Sequence, residues 1–133
     1  MPTRMDTQRF VEFLETVGAL KEVPTASLLK IAEVLKEVTY KEGEYIVRQG
    51  EHGDTFYILQ HGCADVTRTS SEAGDPVFLR VLTPGAYFGE KALMGDSMRT
   101  ANVVAGKGGC TCLILGKESF AMVSGSFTFR IYK

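Results

Sequence analysis

The sequence predicts a mainly β domain, a small jelly roll preceded by two helices, on three observations. From Val38 onward glycines recur as turn signals, at Gly43, Gly50, Gly53, Gly62, Gly74, Gly85 and Gly89. Short runs rich in β-branched and aromatic residues lie between them, the signature of an all-β sandwich or barrel. Before Glu37 the apolar residues instead follow a helical period. A chain of 133 residues fits one domain with one core and needs no disulfide or metal to hold it.

Phe10, Val11, Phe13, Leu14 and Val17 approach the i, i+3, i+4, i+7 spacing, which predicts an amphipathic helix over 9–17 ended by Gly18. Val23-Pro24-Thr25 sets up a second start, because proline suits a first turn and Thr25 or Ser27 can cap free amides. Leu28, Leu29, Ile31, Ala32, Val34 and Leu35 supply its apolar face. Strands are predicted at 37–40, 45–48, 55–60, 64–69, 77–82, 101–105 and 110–115. The polar run 69–76 reads as a hairpin loop. In the strand over 77–82, alternation sends Arg80 to the face opposite Leu79 and Val81.

Composition excludes several classes. Hydrophobic residues at 44% and charged residues at 23% are ordinary for a folded soluble domain. Fifteen basic residues balance sixteen acidic ones, a net charge of −1, without the basic surplus of a nucleic-acid-binding domain. No apolar run is long enough to cross a membrane and no signal pattern opens the chain, so a cytoplasmic protein is expected. Cys63, Cys110 and Cys112 form no C-x-x-C pair and read as reduced, partly buried small apolar groups. His52 and His61 stand in turn-like contexts with no H-x-H pair, so no metal site is expected. No nucleophile has a recognisable base partner, so the chain is expected not to be an enzyme.

The chemistry gathers in Tyr87 to Asn102, which reads Tyr-Phe-Gly-Glu-Lys-Ala-Leu-Met-Gly-Asp-Ser-Met-Arg-Thr-Ala-Asn. A helical turn there offers free backbone N–H groups from Glu90 to Ala92 and a partial positive charge, both suited to phosphate oxygens. Lys91 and Ala92 enter through their amides. Glu90 would repel phosphate; its oxygens only accept hydrogen bonds, so a ribose 2′-hydroxyl is its natural partner. Arg99 supplies fixed positive charge and a planar fork of donors suited to phosphate. The plain alternative is a surface ion pair between Glu90 and Arg99.

Phe88-Gly89-Glu90, Ala92-Leu93 and Arg99-Thr100-Ala101 resemble, in type and spacing, the phosphate-binding cassette of the cyclic nucleotide-binding domain family. The resemblance runs from about Phe10 to Phe120 and is nearest to the cGMP-binding domains of cGMP-dependent protein kinases. It implies an eight-stranded jelly-roll β-barrel with flanking N- and C-terminal helices, the eighth strand near 86–88. The domain is expected over 7–123, with 124–133 a tail. The resemblance further implies Gly89, Glu90, Lys91 and Ala92 around the ribose phosphate and Arg99 and Thr100 on the phosphate. Asp54 matches the family position behind the phosphate arginine, where a carboxylate would hold the Arg99 rotamer before ligand arrives; an Asp-Thr turn is the alternative.

Two residues bear on the base. In cGMP-kinase domains an arginine at the position of Arg80 can meet the guanine edge, whose O6 and N7 acceptors match a guanidinium fork, whereas adenine puts an amino donor in place of O6. Arg80 facing solvent is the bland reading. The resemblance also implies that a hydroxyl at Thr100 bonds both phosphate and the guanine 2-amino group; a strand threonine chosen for β-propensity is its alternative. Together they favour cGMP as ligand, with cAMP as the alternative. The expected role is regulation of an attached kinase catalytic domain, the alternatives being a cAMP-binding regulatory domain or the cyclic-nucleotide gate of another effector such as an ion channel. After Val123 the family pattern breaks at Ser124-Gly125-Ser126, which puts the base-capping helix in doubt and leaves Tyr132 as the candidate lid.

Overall fold

The computed structural model describes residues 3–21, 23–70, 74–89 and 97–119. Helix α1, Arg4–Leu14, begins before the predicted start because Thr3 and Asp6 form a capping box: the Asp6 amide donates to Thr3 Oγ1 at 3.1 Å and the Thr3 amide to Asp6 Oδ2 at 3.3 Å. It buries Phe10, Val11 and Leu14. A 3-10 turn, Gly18–Leu20, leads to helix α2, Thr25–Val34. The N-cap of α2 is Pro24, with no side-chain cap; the amides of Ser27 and Leu28 donate to its carbonyl. Thr25 and Ser27 therefore do not cap, and Ser27 is instead buried.

Eight strands follow among the described residues: β1 Lys36–Tyr40, β2 Tyr45–Val47, β3 His52–Gly53, β4 Thr55–Arg68, β5 Val77–Leu82, β6 Tyr87–Phe88, β7 Ser97–Met98 and β8 Asn102–Gly116. All pair antiparallel, in the order β1-β8-β4-β5, with β2 on β8, β6 on β4, and β3 with β7 as a separate ribbon. The number eight arises by compensation. The strands expected at 55–60 and 64–69 are one, β4; those at 101–105 and 110–115 are one, β8; β3 and β7 were not foreseen.

Glycine explains the fusion of β4. Gly62, expected to end a strand, adopts φ +82° in mid-strand, where a Cβ would lie 2.8 Å from Cys110 Cα on β8. The ladder shifts register on either side and continues as a bulge, so the residue marks a close approach of two backbones.

Two apolar clusters lie along β4 and β8. One joins Phe10, Leu14, Leu28, Ile31 and Leu35 of the helical segment to Phe56, Ile58, Leu113 and Leu115. The other contains Ile46, Leu59, Ala64, Val66, Leu82, Val103, Ala105 and both Cys110 and Cys112. All three thiols are free, and burial pushes those of Cys110 and Cys112 up, so they behave as neutral packing groups. β5 buries only Leu82 at its end: Leu79 and Val81 are exposed, as is Arg80, and the strand is an edge reached by only one neighbour among the described residues. No helix among those residues is long and apolar enough to cross a membrane.

Candidate functional site

The second cluster opens into a cavity of about 510 Å³, within the range of small-molecule sites. Its apolar lining is Val47, Val66, Leu82, Ala86 and Val103. Arg80, Gly89, Arg99 and Thr100 line the same cavity, so four residues singled out from sequence meet in space. Arg80 arrives from β5, opposite Val66 in register; Arg99 and Thr100 lie between β7 and β8. Glu90, Lys91, Ala92 and Tyr132 lie outside the described residues.

Arg99 sits in a slot made of backbone. Its Nη2 donates to the carbonyl of Thr55 at 2.9 Å, and its guanidinium carbon stands 5.8 Å from the centre of the Tyr57 ring. A Cβ on Gly53 would overlap the guanidinium; one on Gly89 would lie 2.8 Å from Nη1 and 2.7 Å from the Thr55 carbonyl oxygen. Gly89 also takes φ +81°, a second reason for glycine. Both glycines make room for the arginine, whose five N–H donors give one hydrogen bond among the described residues, to Thr55. Tyr57 in turn stacks on Phe88, the rings 4.8 Å apart and 6° from parallel. Burial pushes the Tyr57 hydroxyl up, with the positive charge of Arg99 opposing.

Asp54 departs from its expected partner. Its carboxylate accepts from the neighbouring Thr55 hydroxyl at 3.1 Å, and the only ion pairs among the described residues belong to Arg9. It lines a smaller cavity of about 200 Å³ with Arg48, Glu51, Gly53 and Arg99. What holds Arg99 here is the Thr55 carbonyl, because the strand start brings that oxygen closer than the side chain before it. Thr100 is exposed, and its carbonyl accepts from Arg68 Nε at 3.2 Å.

Gly53, Thr55 and Tyr57 were missed as site residues. Gly53 read as a turn signal, and a backbone carbonyl leaves no trace in residue type. Tyr57 lay within a recognised strand, and only its alternation toward the same face as Thr55 hinted at its role.

The comparisons with known proteins agree with this geometry. A family profile described as "Cyclic nucleotide-binding domain" matches residues 37–125. The chain is 38% identical over 120 residues to human cGMP-dependent protein kinase 2, covering 90% of this chain and 16% of that protein. It is 42% identical over 112 residues to the cGMP-dependent protein kinase, isozyme 2 forms cD5/T2, of Drosophila melanogaster, covering 84% of this chain and 12% of that one. The chain thus spans less than a fifth of these relatives. Among solved structures, the regulatory domain of Toxoplasma gondii PKA with cAMP superposes with a TM-score of 0.83 at 35% identity, over 92% of this chain and 46% of that one. With a profile covering most of the barrel and relatives this similar along nearly its whole length, the chain belongs to the cyclic nucleotide-binding domain family.

Proposed function

We propose that the chain is a ligand-sensing regulatory domain that binds cGMP in preference to cAMP and relays binding to an attached kinase domain. The observation that carries the reading is the convergence of Arg99, Thr100 and Arg80 on one cavity. Arg99 meets the cyclic phosphate with its remaining donors. Thr100 bonds phosphate and the guanine 2-amino group, and Arg80 reads O6 and N7. Gly89, Glu90, Lys91 and Ala92 complete the ribose phosphate contacts, Glu90 through the 2′-hydroxyl. Tyr132 caps the base. The similarity to two cGMP-dependent kinases supports the choice of guanine.

The relay is a population shift: a ligand that binds one arrangement of the flanking helices more tightly moves the equilibrium toward it, releasing the catalytic domain. One observation favours the alternative ligand, cAMP: the similar Toxoplasma gondii structure is described with it. Calorimetry of the chain with each nucleotide decides. Binding of cGMP tighter than cAMP is expected; equal affinities sink the guanine reading, and no heat with either at millimolar concentration sinks the family function for this chain.

A further inference from the structure

The geometry points to Gln49 and Asn102 as positioning residues that brace Arg99 in its slot. This deepens the proposed nucleotide reading, although half of its test does not depend on it. Neither residue lines the cavity that holds Arg80, Arg99 and Thr100. They act through the main chain to which Arg99 belongs.

Residues 49–53 and 97–102 form one antiparallel zipper. Gly53 pairs with Ser97 and His52 with Met98 in the β3–β7 ribbon. The next step is made by Arg99 itself, whose amide donates to the Glu51 carbonyl at 2.8 Å while its own carbonyl accepts from the Gly50 amide at 2.8 Å. Beyond this the two backbones part, because Asn102 begins β8 and pairs with Thr67 of β4. The Asn102 side chain then takes over the ladder. Its Oδ1 accepts from the Gln49 amide at 2.9 Å, and its Nδ2 donates to Thr67 Oγ1 at 3.2 Å.

Gln49 closes the ring from the other side. Its Nε2 donates to the Thr69 carbonyl at 2.8 Å and its Oε1 accepts from the Thr69 amide at 2.8 Å, the two-bond exchange that a neighbouring strand would make. Three separate stretches, 49–51, 67–69 and 99–102, are thereby locked together with Arg99 inside the ring. Asn102 is 8% exposed, so losing its amide strands the Gln49 N–H and the Thr67 hydroxyl where water reaches them poorly. The segment carrying Arg99 then loses one of its two anchors. The guanidinium, whose slot is a fit between two glycines, spends less time in the binding geometry, which lowers affinity by that fraction.

The test has two arms. In calorimetry with cGMP and cAMP, Asn102→Ala and Gln49→Ala each weaken both nucleotides by about tenfold, the effect of one or two lost hydrogen bonds on a positioned group, with the ratio between nucleotides unchanged. Asn102→Asp keeps the Oδ1 acceptor and recovers most of the loss. In an Arg99→Lys background, where the forked slot contact is gone, Asn102→Ala adds little further. A full additional tenfold loss there, or unchanged affinity in the single variants, overturns the proposal. The second arm needs no nucleotide: the Arg99 Nη2–H resonance of the ligand-free protein, bonded to the Thr55 carbonyl, is expected to be slow to exchange in the wild type and averaged in Asn102→Ala. An identical resonance in both overturns the brace. If the wild type binds neither nucleotide, the nucleotide reading fails and the brace stands or falls on that resonance. If Asn102→Ala does not fold, Gln49→Glu, which removes only the donor to the Thr69 carbonyl, serves in both arms.

Discussion

The same two long strands, β4 and β8, end in opposite circumstances. Toward Phe56 and Leu115 they meet α1 and α2, and Phe10, Leu14, Leu28, Ile31, Phe56, Ile58, Leu113 and Leu115 are each at most 3% exposed. Toward Val66 and Val103 they meet no helix among the described residues. There Val77, Phe78, Leu79 and Val81 of β5 and Met98 of the cavity lining are 42–58% exposed. Both ends of the strands contribute buried apolar residues, and they differ in what covers them. The closed end carries stability, and the open end brings polar groups such as Arg80 and Arg99 to the cavity.

The largest expected effect breaks the closed end. Phe56→Ala should destabilise the fold by about 3–5 kcal/mol, read as a lower urea midpoint, because a fully buried ring leaves a cavity the helices cannot refill. Val81→Ala on the exposed β5 should stay within about 0.5 kcal/mol; a cost like that of Phe56→Ala would mean that this strand is covered. Next comes Arg99→Ala, which should weaken both cyclic nucleotides by roughly thirtyfold or more, about 2–5 kcal/mol. Its ligand-free melting should shift little, since among the described residues its side chain makes one hydrogen bond, to the Thr55 carbonyl, and one ring contact, with Tyr57. A large loss of stability with unchanged binding would reverse the division of labour between the ends.

Arg80→Ala sharpens the comparison within the open end. It should reduce cGMP affinity and spare cAMP, lowering selectivity by roughly five- to a hundredfold, the range of about 1–3 kcal/mol for a bidentate guanine contact. An equal loss for both nucleotides would make Arg80 a structural residue.

The smallest effect concerns how the closed end is fastened. Arg9 bonds Glu37 at 2.8 Å and Asp6 at 2.9 Å, tying α1 to β1. The hydrogen bond from Arg9 holds the Glu37 carboxyl below its ordinary range, against a smaller opposing effect of desolvation. A depressed carboxylate contributes stability that is present above its unfolded pKa and is lost as pH falls through the folded one. Wild type should therefore exceed Glu37→Gln at neutral pH by at most about 1 kcal/mol, because the pair is largely solvated. The gap should close as the pH drops below the ordinary carboxylate range. A gap that widens in acid would contradict the pairing.

The elements that could be read from sequence are those with a period. The strands Lys36–Tyr40, Tyr45–Val47 and Val77–Leu82 and the apolar faces of both helices carry enough residues to display one. Strands β3 and β7 have two residues each, too few for any pattern. The start of α1 was legible in principle, since Thr3-x-x-Asp6 is a capping pattern, but it lies ahead of the apolar spacing that marks the helix. Of the cavity lining, Gly89 and Arg99 were singled out by residue type and spacing, and Arg80 and Thr100 by the resemblance to the family.

Sequence by itself determined the β architecture, the helical N-terminus and the identity of the charged groups, because periodicity and functional-group chemistry are local properties of the chain. Only the tertiary structure decided that Gly62 joins two strands rather than separating them, since its need for glycine comes from Cys110 on another strand. It decided likewise that Gly53 clears space for Arg99, that the Thr55 carbonyl holds it, and that Gln49 meets Asn102 across 53 residues. Each of these is a contact between distant parts of the chain. Their geometry depends on sheet register, which no single stretch of sequence encodes.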